Sequence, residues 1–207
     1  MEKETGRIEA FSDGIFGVAI TLLAIEIGIS EYQDPTNRNL FEKIVEKWPE
    51  YFAYFNSFAT VLLIWMGHHQ LFNRIRKASH SVLLLNGLVL LFVVLFPYPT
   101  RTVGIFIGTP AVNTAVAFYA AFTGLIVFSM LCLNLGILRT PQYIIDADKN
   151  IKWLINLKRG QLLAISLYFL AACVAFFQPT ITLLITFAMW VYWAIVTKDP
   201  LAEHPES

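Results

Sequence analysis

Four side chains that could carry chemistry lie within or beside apolar runs of the sequence. Asp13 stands near the start of the first apolar run, His68 and His69 end the second, and Asn86 lies in the third. An ionisable side chain in such a run is costly to bury, so it marks an ion or proton pathway, a metal site or a contact between helices. Each possibility makes a different demand on the helices that carry these residues.

A metal site at the adjacent histidines is the weakest of the three possibilities. Consecutive residues of a helix point about 100° apart, so His68 and His69 cannot easily share one ion. Cys132 and Cys173 lie within apolar runs, where a thiol usually behaves as a small hydrophobe. We therefore expect no bound metal and no cofactor.

The first apolar run places small and β-branched residues on one narrow helical face. At about 100° per residue this face comprises Gly14, Val18, Thr21, Ile25 and Gly28, with Gly17 at its edge. Two interpretations remain open. Small residues allow two helices to pack closely, whereas in a channel Val18 and Ile25 would form apolar constrictions with a ring of Thr21 hydroxyls between them.

The composition indicates that membrane helices position these residues. Hydrophobic residues make up 57% of the chain and charged residues 14%, whereas a soluble domain has about 25% charged residues. A span needs roughly 20 apolar residues, so 207 residues have room for about six spans. The zero net charge gives no support to a nucleic-acid partner. We expect a single all-α domain over residues 1–207 within a lipid bilayer.

Six apolar stretches are the predicted transmembrane helices, namely 9–29, 50–70, 79–99, 111–138, 160–178 and 180–197. The first stretch shows no small-residue cleavage pattern, so we interpret it as a retained helix and not as a signal peptide. Between the first two stretches, segment 30–49 is polar with one amphipathic patch, which predicts a short interfacial helix. Segment 139–159 resembles it, and Gln178-Pro179-Thr180 predicts a tight hairpin.

The distribution of basic residues predicts the orientation. With the N-terminus inside, eleven basic residues fall on the inner side: Lys3, Arg7, Arg74, Arg76, Lys77, Arg139, Lys149, Lys152, Lys158, Arg159 and Lys198. Four fall on the outer side: Arg38, Lys43, Lys47 and Arg101. The positive-inside rule therefore places both termini on the cytoplasmic side. We expect the protein to lie in the cell (inner) membrane.

An acidic segment would then lie outside, at Glu31, Asp34, Glu42, Glu46 and Glu50. It is either a solvated loop or a means of attracting cations to a channel mouth.

This topology places the polar residues at a common depth. Asp13, His68 and Asn86 lie within about two helical turns, or roughly 10 Å, of the cytoplasmic surface. A buried network among the three would satisfy groups that each cost several kcal/mol in hydrocarbon.

Residues 7–13 resemble the Arg-x-x-x-Phe-Ser-Asp signature at the start of the first helix of the transmembrane protein 175 family. These are the endosomal and lysosomal potassium channels and their bacterial relatives. The Gly-Ile-Phe-Gly-Val-Ala-Ile-Thr-Leu-Leu run that follows is also similar. Further similarity lies at Trp65, His68, Phe72, Asn86 and the Phe96-Pro97-Tyr98-Pro99-Thr100 run.

The resemblance implies a homotetrameric cation channel that prefers potassium over sodium, with the first helix of each subunit lining a central pore. A single six-helix repeat per subunit is similar to the bacterial form. The signature and its partners would hold the first three helices together without touching the ion: Arg7, Phe11, Ser12, Asp13, His68 and Asn86. The family's constriction would fall at Val18, at Thr21 or Leu22, and at Ile25.

A secondary transporter and a membrane enzyme are the alternatives to a channel. The sequence has no Thr-Val-Gly-Tyr-Gly filter, so selectivity would come from partial dehydration at apolar rings instead of from carbonyl oxygens. A secondary transporter with Asp13 and His68 as a proton relay is the alternative, but the two halves of the chain share no visible repeat. An enzyme would need a larger polar cluster in a water-accessible cavity, and we do not expect one.

Overall fold

The computed structural model describes residues 4–25, 27 and 37–196, and its regular elements there are helices. A short 3-10 turn at Pro141–Tyr143 precedes the seventh of them. The helices are α1 (Gly6–Ile25), α2 (Asn37–Glu46), α3 (Trp48–Asn73), α4 (His80–Leu95), α5 (Pro97–Phe106), α6 (Val112–Leu138), α7 (Ala147–Ala175) and α8 (Pro179–Val196). Outside the described residues lie Lys3, Glu26, Gly28, Glu31, Asp34, Lys198 and the side chain of Arg38.

Within the described residues, four helical segments are long and apolar enough to cross a membrane. They are α1, the α4–α5 pair, α6 and α7. The chain is thus an all-α protein with several membrane-capable helices. The predicted six-span topology also requires α3, whose 26 residues extend about 39 Å, and α8, a shorter apolar helix.

The two segments predicted as interfacial helices differ in structure. The first contains α2, whose apolar residues Phe41 and Val45 are exposed, as an interfacial helix requires. The second prediction is wrong from Ala147 onward, because those residues form the first turns of α7. Leu154 and Leu157 are buried there, and a single Gly160 costs a helix only about 1 kcal/mol, so the helix continues to Ala175.

The predicted third span, 79–99, is interrupted in the structure. Helix α4 ends at Leu95 and α5 begins at Pro97, with the buried Phe96 between them. Pro97 and Pro99 have no amide hydrogen, so they cannot continue the hydrogen bonds of α4, although proline is well accommodated in the first turn of a new helix. The new helix, α5, continues to Phe106, which lies beyond residue 99, the predicted end of the span.

Helix α6 is the centre of the protomer and α1 lies at its edge. In the most apolar part of α6, 67% of the residues are buried, against 22% in α1. Helix α6 packs against α4, α5, α7 and α8, whereas α1 packs against α3, α4 and α5. One face of α1 is consequently left open.

Three segments predicted on the cytoplasmic side meet at one end of the helical bundle. The amide of Glu4 donates to the carbonyl of Arg76 at 2.8 Å, and the amide of Arg76 donates to the carbonyl of Tyr143 at 2.9 Å. The Glu4 carboxylate also accepts from Lys77 at 3.1 Å, and this hydrogen bond raises the pKa of Lys77 above its usual value. The arrangement agrees with the predicted placement of these three segments on one side.

Helices α3 and α5 approach closely at Gly104, which generates a prediction about stability. A Cβ atom at Gly104 would lie 3.3 Å from the Cα of Glu50, whereas one at Gly87 of α4 would meet nothing within 4 Å. Gly104→Leu should lower the free energy of unfolding by about 1–3 kcal/mol through overpacking. Gly87→Leu is the matched control. Equal melting temperatures of the two purified variants would contradict this packing.

Candidate pore-lining site

Helix α1 has two opposite faces with different environments. Ser12, Phe16, Ala19 and Leu23 are at most 1% exposed and pack against the rest of the protomer. The narrow face predicted from the sequence lies on the opposite side, where Val18 is 54% exposed and Ile25 is 73% exposed. Gly14 and Thr21 are exposed on the same side, and Leu22 is half-buried between the two faces. We call Gly14, Val18, Thr21 and Ile25 the open face.

The Thr21 hydroxyl has a defined orientation on the open face. Its Oγ1 donates to the carbonyl of Val18 at 2.8 Å. Because the hydroxyl proton is used within the helix, the remaining lone pairs of Oγ1 are available as acceptors. An oxygen that presents lone pairs suits a cation. Val18 and Ile25 lie about one helical turn to either side of Thr21.

The backbone of α1 is accessible along the open face. A Cβ atom added at Gly14 or Gly17 would meet no other atom within 4 Å. The glycines therefore fill no packing role inside the protomer. Another helix or water can approach α1 closely at these positions.

A buried hydrogen-bonded network joins the packed face of α1 to α3 and α4. The Asn86 amide nitrogen donates to the Ser12 hydroxyl at 3.0 Å, and Asn86 Oδ1 lies 2.7 Å from His68 Nε2. Since the amide nitrogen serves Ser12, the His68 nitrogen is the donor in the second bond. The rings of Phe16 and Phe72 cover His68, with centroids 5.3 and 4.7 Å away.

Asp13 lies outside this network, in contrast to the arrangement predicted from depth. Its carboxylate accepts a hydrogen bond from Trp65 Nε1 at 2.8 Å, and its side chain is exposed in the protomer. The reason is geometric, because neighbouring residues of a helix point about 100° apart and Ser12 already occupies the buried direction. The depth argument predicted how far Asp13 lies from the cytoplasmic surface, but it could not predict which way its side chain points around the helix axis.

The other predicted residues of this region also face different surroundings. Arg7 and Phe11 are exposed, and their predicted role in holding the first three helices together remains a prediction. His69 stacks on Trp65 with ring centroids 5.7 Å apart, and its Nε2 accepts from the Asn73 amide at 2.8 Å. His68 and His69 thus have separate neighbours, and no hydrogen bond joins Asp13 to His68 among the described residues.

A second buried network, which the sequence analysis missed, lies nearer the opposite end of the bundle. The Tyr119 hydroxyl of α6 accepts from the Asn56 amide at 2.9 Å and lies 3.2 Å from the Ser57 hydroxyl. Thr100 of α5 donates to Ser57 at 2.7 Å. The available sequence signal was the Asn56-Ser57 pair within an apolar run, which is as unusual there as Asn86 is in its own.

The geometry suits passage of an ion better than a chemical reaction. Within each network the polar side chains are hydrogen-bonded to one another, whereas the open face offers the Thr21 hydroxyl oxygen between apolar side chains. Among the residues that the structure describes, no group of three or more His, Cys, Asp or Glu side chains could hold a metal.

Comparisons with known proteins point in the same direction. Residues 7–97 match the family model described as "Endosomal/lysosomal potassium channel TMEM175". A potassium channel of Chamaesiphon minutus is 38% identical over 119 residues, which cover 58% of this chain and 59% of that channel. The human endosomal/lysosomal proton channel TMEM175 is 42% identical over 93 residues, or 42% of this chain and 18% of that protein. The relatives named here are channels and not enzymes.

A solved structure extends the similarity to nearly the whole chain. The crystal structure of a lysosomal potassium-selective channel TMEM175 homologue from Chamaesiphon minutus superposes with a TM-score of 0.85 at 28% identity. The superposition covers 96% of this chain and 100% of that chain. The sequence match itself spans little more than half of the Chamaesiphon channel named above. These findings confirm the family resemblance of residues 7–13.

The buried network generates a prediction about stability. Asn86→Leu keeps a similar volume but leaves the Ser12 hydroxyl and the His68 donor without their partner. It should cost about 1–3 kcal/mol for each group left unsatisfied. Ser12→Ala removes one bond only and should cost less. Thermal melts of the purified proteins measure both changes, and an Asn86→Leu variant as stable as the parent would contradict the role of Asn86.

Proposed function

Since the chain is a homologue of the transmembrane protein 175 channels, we propose that it forms a potassium-preferring cation channel. In this proposal four copies of the domain 1–207 surround one pore, and the open face of α1 in each copy lines it. The observation that supports this most directly is the two-sided environment of α1, which packs through Phe16 and Leu23 and leaves Val18, Thr21 and Ile25 uncovered.

A pore-side or subunit-side position explains the polar groups near the open face. Asp13 and Thr21 are exposed at membrane depth in the single protomer. A charged side chain on a lipid-facing helix is costly, by up to about 2.5–3.5 kcal/mol on insertion scales at the helix centre. Assembly around α1 would remove this cost, because water or a neighbouring copy would cover the open face instead of lipid.

The proposed assembly is a closed ring of identical copies. Each subunit contributes one α1 to the wall, so several copies related by cyclic symmetry are needed to enclose a path. The tetramer follows from the family resemblance. Both termini would lie in the cytoplasm of the cell (inner) membrane, and the Ser12, His68 and Asn86 network would hold α1 in place without contacting the ion.

Discrimination between cations would take place between Val18 and Ile25. A potassium ion loses its water more easily than a sodium ion, so a narrow apolar ring favours potassium. The lone pairs of Thr21 would replace part of the lost hydration. Leu22, half-buried beside Thr21, would support the same layer. A proton relay through Asp13 and His68 is not favoured, because these two side chains have different hydrogen-bond partners.

The pore assignment predicts where a water-soluble thiol reagent can act. In a background with Cys132 and Cys173 replaced by Ser, Cys substituted at Val18, Thr21 or Ile25 should allow silver ions to block the current. Val191→Cys is the matched control, because Val191 is 61% exposed on α8 yet would face lipid. Ala19→Cys and Leu23→Cys test the packed face. Equal block at all positions would overturn the assignment.

The selectivity mechanism predicts different effects at two neighbouring layers. Thr21→Ala should lower the preference for potassium over sodium with little change in width, because it removes one oxygen contact per subunit. Ile25→Ala should widen an apolar ring, raising conductance and weakening selectivity together. Reversal potentials under bi-ionic potassium and sodium conditions measure both effects. Unchanged reversal potentials in conducting variants would place the filter elsewhere in the chain.

A further inference from the structure

An exposed row of basic side chains runs along the first four turns of α7. It consists of Lys149, Lys152 and Arg159, which are all exposed, and we call it the basic stripe. Spacings of three and seven residues keep the three side chains on one side of a helix. The same side continues toward the C-terminal end with Leu163 and Leu170, which are 54% and 61% exposed. The exposed side of α7 thus changes from basic to apolar along its length.

Helix α7 is long enough for its basic part to lie among the lipid headgroups while its apolar part lies in the hydrocarbon. Its 29 residues extend about 44 Å, whereas the hydrocarbon layer is about 30 Å thick and the full bilayer about 40–45 Å. If Ala175 lies at the far boundary of the hydrocarbon, Lys152 lies at the level of the lipid headgroups and Lys149 lies at their outer edge. Arg159 then lies just inside the boundary and can extend its guanidinium outward to the headgroups.

The basic stripe lies away from the open face of α1. Helix α7 packs against α6 and α8, whereas α1 packs against α3, α4 and α5. The central helix α6 separates the two groups. In an assembly built around α1, the exposed side of α7 therefore remains turned toward the lipid.

We propose that the basic stripe binds an anionic phospholipid of the adjacent leaflet. The lipid phosphate would lie between Lys152 and Arg159, and an acyl chain would follow Leu163 and Leu170. Charge complementarity supports an anionic headgroup, because three cations face outward together. Two exposed carboxylates, Asp146 and Asp148, stand at the end of α7 farther from the hydrocarbon. Lys158 is half-buried on another side of the helix.

Photolabelling of the reconstituted full-length protein tests the proposal. The probe is a phosphatidylglycerol with a diazirine in its acyl chain, and labelled residues are mapped by mass spectrometry. Excess unlabelled phosphatidylglycerol should suppress labelling around residues 159–170, and phosphatidylcholine should not. In Lys152→Gln/Arg159→Gln the affinity for phosphatidylglycerol should fall about twenty-five-fold, since each basic side chain near an anionic surface contributes roughly fivefold.

Two controls separate this site from general contact with lipid. Lys158→Gln removes the same charge from the same helix and should leave the labelling unchanged. Labelling of the apolar exposed side of α8, around Leu184 and Val191, should not depend on any of these substitutions. Inorganic phosphate should not compete, because the site takes a membrane-bound headgroup.

Three results would overturn the proposal. The first is competition by phosphatidylcholine equal to that by phosphatidylglycerol, and the second is full labelling of the double variant. The third, in a sample without the probe, is chemical cross-linking of the basic stripe to a second copy of the chain. None of these measurements uses ion flux. Failure of the lipid-binding proposal can therefore be distinguished from failure of the proposed channel activity.

Discussion

The hydrocarbon of a bilayer offers no hydrogen bonds, and the arrangement of the helices depends on this constraint. Several polar side chains within the described bundle are paired across helices, at one level through Ser12, Asn86 and His68 and at another through Ser57, Tyr119 and Thr100. Some of these pairings join helices that are far apart in the sequence, such as Ser12 of α1 with Asn86 of α4. The need to satisfy a few polar groups therefore specifies which helices become neighbours.

The same constraint gives meaning to the surface of α1. Its packed face is buried against the other helices, whereas the opposite side leaves a hydroxyl, two glycines and a nearby carboxylate exposed. A helix with these groups is poorly suited to lipid, whereas the exposed residues of α8 between Ile181 and Ile195 are apolar, including Leu184 and Val191. In the proposed assembly, α8 would face lipid and the open face of α1 would face the other copies, so that the pore would form where the open faces meet.

Periodicity was sufficient to predict the helices and the narrow face of α1, because apolar runs and a 100° repeat are local properties. It was not sufficient for Asp13, whose partner depends on how α1 is rotated against α3, nor for the junction of α4 and α5 at Phe96. The start of the fifth span was placed too late because Lys149, Lys152 and Lys158 lower the mean hydropathy of that segment, which was therefore predicted as a separate interfacial helix. In the structure, the buried Leu154 and Leu157 hold these lysines in a helix. The Asn56 network required contacts between three helices that no local pattern contains.

A structure of the assembled protein in lipid nanodiscs, determined by electron cryomicroscopy, would test the central claim most directly. The decisive quantity is the direction of the Thr21 side chain relative to the symmetry axis. We expect four α1 helices around that axis, with Val18, Thr21 and Ile25 directed toward it and α8 at the periphery. An assembly in which α1 faces lipid, or in which another helix surrounds the axis, would contradict it.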